Sequence, residues 1–88
     1  LEPAWVGAAK TAADHEAVAK AYDTEALGFE KTAAMHKNLA ETYGAPGLKG
    51  PQASQAKHCE SVAASLTTAA QEDRALAAEH RNMAKDAH

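Results

Sequence analysis

With 88 residues, 12 acidic and 9 basic, the chain has room for one domain and carries a slight negative charge. It has no basic cluster to form a nucleic-acid face, and no apolar run near the roughly 18 residues of a membrane span, so neither nucleic-acid binding nor membrane insertion is expected. One Phe, one Trp and no Ile leave alanine to fill the interior, and its high helix propensity predicts an all-α fold of closely packed helices.

Pro3 and Trp5 belong to a lead-in. The spacing predicts a first helix over about residues 8–43, with Thr11 as another start, because Thr11-Ala12-Ala13-Asp14 resembles a capping box with Asp in place of Glu. Gly44 and Pro46 end that helix, Gly44 being able to take a left-handed C-terminal cap. Residues 44–51 form the connecting loop, and Pro51 suits a first helical position. A second helix is expected over about 52–87, uninterrupted by Pro or Gly. Residues 1–88 thus read as a single antiparallel two-helix hairpin domain.

In the first helix His15, Val18, Tyr22, Glu25, Phe29, Thr32, His36, Leu39 and Tyr43 alternate three and four apart, the repeat of a left-handed coiled-coil seam. The second offers His58, Val62, Leu66, Ala69, Asp73, Leu76, His80, Met83 and Ala87, with an extra residue that brings it closer to an eleven-residue repeat. Gly28 marks a bend or a close helix contact. Glu25 and Asp73 are expected to turn to solvent, with Ala26 and Ala69 packed inside; a buried carboxylate pair is the other possibility.

The halves repeat each other. Ala33-Ala34-Met35-His36-Lys37-Asn38-Leu39-Ala40 matches Ala77-Ala78-Glu79-His80-Arg81-Asn82-Met83-Ala84, and Asp14-His15-Glu16 answers Lys57-His58-Cys59-Glu60 with one inserted residue. Duplication of one helix explains both. Through Asp14-His15-Glu16-Ala17 and the repeated A-x-x-H-x-x-[M/L]-A segments, most of the chain loosely resembles small alanine-rich, exported bacterial hairpin proteins. The resemblance implies a hairpin and export, and brings no activity with it. A start at Leu1 without Met fits a processed, periplasmic product or a trimmed chain.

Folding at the loop sets residues whose numbers add to about 95 level with one another. His15 then faces His80 at the open end and His36 faces His58 at the loop end, with Met83 and Cys59 as nearby sulfur donors. Two imidazoles with a thioether or thiolate suit copper first, with zinc or nickel less suited, and imidazole alone also serves haem iron. The expected ligands are His15, His80 and Met83 at one end, and His36, His58 and Cys59 at the other. No C-x-x-C, C-x-x-C-H, H-E-x-x-H or E-x-x-H motif supports them. A histidine on an apolar face is more often a satisfied interior residue, and duplication copies a pattern without selecting a site. Cys59 is a free thiol, a ligand or half of an intermolecular bridge. Adjacent residues on a helix do not face each other, so His58 and Cys59 do not form a nucleophilic pair and no enzyme is expected.

Two long, thin helices leave apolar faces uncovered, which predicts a homodimer forming a four-helix bundle. The leading functional expectation is a copper-binding storage or carrier protein. The alternatives are an adaptor hairpin without metal and a bundle binding haem non-covalently through two histidines.

Overall fold

The computed structural model describes residues 4–44 and 50–87, with side chains from residue 6 onward. It contains a short helix α1 (Ala4–Gly7) and two long helices, α2 (Ala12–Tyr43) and α3 (Pro51–Asp86), packed against each other as a hairpin. No strand occurs among the described residues. The molecule measures 61 × 20 × 13 Å, and its radius of gyration is 17.9 Å, against about 12 Å for a compact domain of this length.

Local chemistry sets the ends. The Thr11 hydroxyl accepts from the Asp14 N–H, and the Asp14 carboxylate accepts from the Thr11 and Lys10 N–H groups, each at 3.1 Å. These backbone bonds to Lys10 and Thr11 hold the Asp14 carboxyl below the usual carboxylate range. The capping box therefore starts α2 at Ala12, not near residue 8, and the lead-in forms its own short turn of helix. At the other end Gly44 donates to the Ala40 carbonyl, but its φ of −89° is not left-handed. The positive φ belongs to Gly50, at +65°, just before Pro51 opens α3. Pro46 and the loop interior lie outside the described residues. α2 continues through Gly28 without interruption, and an added Cβ there would meet nothing within 4 Å.

Each helix enters the seam with two lines of residues at seven-residue spacing. One is almost wholly alanine: Ala19, Ala26, Ala33 and Ala40 on α2, against Ala56, Ala63, Ala70, Ala77 and Ala84 on α3, all buried. The other carries larger side chains: His15, Tyr22, Phe29, His36 and Tyr43 on α2, against Cys59, Leu66, Asp73, His80 and Ala87 on α3, buried or half-buried. This strict heptad keeps one line of the seam expected from sequence, His15 to Tyr43 on α2 and Leu66 to His80 on α3, and puts alanine on the other. Val18, Leu39, Ala69, Leu76 and Met83 stand one turn outside it, on a third, outer line. The α3 repeat needs no extra residue, because its register runs through Cys59 instead of His58. A shift of 44 residues superimposes His36 on His80 and His15 on Cys59.

The best-buried cluster is Val18, Ala19, Tyr22 and Ala77, with Val6, Ala9 and Leu76 packed against it. The lead-in therefore covers the open end on the outer-line side. On the alanine side, exposed ion pairs cross between helices. Arg74 reaches Asp23 at 3.1 Å and Glu30 at 2.7 Å, and Arg81 reaches Asp23 at 2.7 Å. The two arginines, Arg81 first, hold Asp23 below the usual carboxylate range. None of the described helices is long and apolar enough to cross a membrane.

Candidate metal centre

His15 and His80 each occupy the larger-residue line one heptad from the strongest packing, and each is 8% exposed. The seam turns both rings inward, and their Nδ1 atoms lie 3.0 Å apart. A hydrogen bond at that distance needs one Nδ1–H to donate and one bare Nδ1 to accept, so the two rings share a single proton there. The ring centroids are 5.3 Å apart, and the buried Tyr22 ring stacks on His80 at 6.0 Å. Tyr22 thus fixes one face of the imidazole, and the short alanine line lets the helices approach closely enough for the rings to meet.

One layer further in, Asp73 is 6% exposed and hydrogen-bonded to Glu25. Burial first, and then the Glu25 hydrogen bond and charge, push its carboxyl up to about 6. Its Oδ2 is buried without a hydrogen-bond partner among the described residues. The expectation that both carboxylates face solvent is corrected: Ala26 is buried as foreseen, Ala69 is half-buried, and Asp73 goes inside because its line, not that of Ala69, faces α2. The sequence already set Glu25 and Asp73 in the seams, and the buried carboxylate pair named there as the other possibility is the arrangement found.

Of the six residues singled out as ligands, His15 and His80 meet. Met83 follows His80 by one turn and is 42% exposed, on the outer line. At the loop end Cys59 shares the register level of His36, both half-buried, while His58 is exposed one residue off the seam. Cys59 is a free thiol, and the His36 Nδ1 is buried with no hydrogen-bond partner among the described residues. Among the described residues no three His, Cys, Asp or Glu side chains gather to hold a metal ion within one chain.

The 3.0 Å contact is a hydrogen bond, so both rings would have to turn for their Nδ1 atoms to hold one metal ion. The fold and this centre define an all-helical antiparallel hairpin with a buried histidine pair at its open end. Comparison with protein-family models, curated proteins and solved structures finds no match to this chain.

Proposed function

We propose that this hairpin binds a transition metal reversibly, copper before zinc or nickel, as an exported, periplasmic storage or carrier protein without catalytic turnover. The observation that carries this reading is the His15–His80 pair, two buried imidazoles with Nδ1 atoms 3.0 Å apart and a thioether one turn away. His15 and His80 would hold the metal through Nδ1, each ring then carrying its proton on Nε2, and Met83, one turn beyond His80, would offer a thioether. Protons compete for the same nitrogens, so affinity falls in acid. His36, His58 and Cys59 form the second, softer donor set. The working assembly is a homodimer of hairpins, a four-helix bundle.

A metal-free adaptor hairpin is the second reading, favoured by the hydrogen bond that already satisfies His15 and His80. Haem has less support, since rings in direct contact leave no gap for a macrocycle between them. Titrating Cu(II), Zn(II) and Ni(II) into metal-free protein decides between the readings. Binding in the micromolar range that His80→Ala weakens tenfold or more supports the metal site, and no binding below about millimolar supports the adaptor.

A further inference from the structure

The lead-in packs on the outer-line side of the hairpin at the open end, and among the described residues nothing packs on that side along the loop half. There Met35 is 54% and Val62 39% exposed, and Phe29, Leu39, Tyr43 and Leu66 are only half-buried. This face is mostly apolar. Of the charged residues of stretches 28–43 and 52–69, the helical phase of 100° per residue puts Glu30, Lys37, Glu41, Lys57 and Glu60 on other sides, and Lys31, one turn before Met35, stands at its edge.

The surface area says how much is left to cover. The chain exposes 5868 Å², whereas a compact monomer of 9.2 kDa exposes about 4900 Å². The excess of about 950 Å², spread over the whole hairpin, leaves room for the roughly 800 Å² that each partner contributes to a standard protein–protein interface. The midpoint of residues 28–43 falls at Met35 and His36, level with Cys59, where the buried His36 Nδ1 has no hydrogen-bond partner among the described residues.

We propose that a second copy of this chain covers the loop-half face, with the twofold axis near His36 and Cys59, so that His36, His58 and Cys59 of both copies line one shared metal site. The docking stands on the exposed apolar surface alone, and the shared ligation rests on the metal-binding reading. In this arrangement the His15–His80 pair stays at the far end of each hairpin as a separate site belonging to one chain.

Light scattering on the metal-free protein at about 100 µM reads the docking. A dimer mass is expected, and Leu39→Glu, which buries an unpaired charge in the interface, should raise the dimer dissociation constant at least roughly a hundredfold while keeping the far-ultraviolet helix signal. A short bismaleimide should join Cys59 of two parent chains, and should fail to do so in Leu39→Glu. A monomeric parent, or a Leu39→Glu protein that still dimerises and crosslinks, overturns the docking. Zn(II) titration then reads the shared site. Parent protein should show loop-end binding that Cys59→Ser and His36→Ala each weaken at least tenfold, and Leu39→Glu should lose it while keeping the open-end site. A dimer without loop-end zinc binding overturns the shared ligation and leaves the docking standing. Loop-end binding of equal strength in monomeric Leu39→Glu overturns the sharing as well.

Discussion

In the open half Val18, Ala19 and Ala26 are fully buried, Ala77 and Ala70 are 1% and 2% exposed, and Ala84 near the terminus is 9% exposed, whereas in the loop half Ala33, Ala40, Ala56 and Ala63 all retain 5–9% exposure. Both halves use the same heptad, with alanine on one line and larger residues on the other. The difference lies in what covers the seam. In the open half the lead-in packs on one side through Val6 and Ala9, and the Arg74 and Arg81 ion pairs close the other. Among the described residues the loop half has no such lead-in and shares in these ion pairs through Glu30 alone. On its alanine side an open groove of about 420 Å³ runs past Lys37, Glu60 and Thr67, and its outer-line side is bare. A two-helix seam of alanines is thus completed from outside, and only one half of this hairpin completes itself.

The strongest way to break that contrast is to remove one large ring from each half. Tyr22→Ala deletes a side chain that is 4% exposed and should cost about 3–5 kcal/mol, enough to unfold a small hairpin at moderate temperature. Phe29→Ala, at a half-buried position, should cost about 1–2 kcal/mol in dilute solution. Chemical denaturation at low micromolar concentration measures both, and equal losses would erase the distinction between the halves.

Next in size is the buried carboxylate. Asp73 is raised to about 6 in the folded state, above its usual value, so its folded form prefers the proton. Its stabilising contribution is full below about pH 4 and is lost as pH rises through 6. Asp73→Asn keeps the shape and removes the titration. It should raise the melting temperature at pH 7 by several degrees, since about 1 kcal/mol moves a domain of this size by about 4–8 °C. The gap between variant and parent should close towards pH 4. A pH-independent gap would mean that Asp73 does not hold the proton.

Smaller effects sharpen the picture further. Gly28 has no neighbour within 4 Å of an added Cβ, so Gly28→Ala should stabilise the isolated hairpin by about 0.5–1 kcal/mol through helix propensity alone. Destabilisation in thermal melts would reveal a close contact there. Arg74→Ala removes two exposed ion pairs and should cost about 0.2–1 kcal/mol, a loss that shrinks in high salt.

Much of this was legible in the sequence. The Gly/Pro punctuation places the turn between Tyr43 and Pro51, the Thr11/Asp14 box caps α2, and folding at the loop brings His15 level with His80. The seam was harder to read. Tracing the larger apolar residues leads through Val18, Leu39, Val62 and Met83, which stand on the outer line, because alanine is too common here to mark a stripe by itself. Only close packing of two helices shows that the smallest side chain occupies the contact line, and that choice of line sends Asp73 inward and puts Cys59 level with His36. The short lead-in helix was equally hidden, since its four residues carry too little periodicity to separate it from α2.

The most direct test follows the ring nitrogens of His15 and His80 by NMR while Cu(I), or Zn(II) as a second diamagnetic probe, is added to metal-free protein. The account predicts that both Nδ1 signals move together with one metal per open-end pair, that both protons settle on Nε2, and that His80→Ala abolishes the response at His15. Metal binding that leaves these two rings unmoved, with their shared Nδ1 proton still in place, would contradict it.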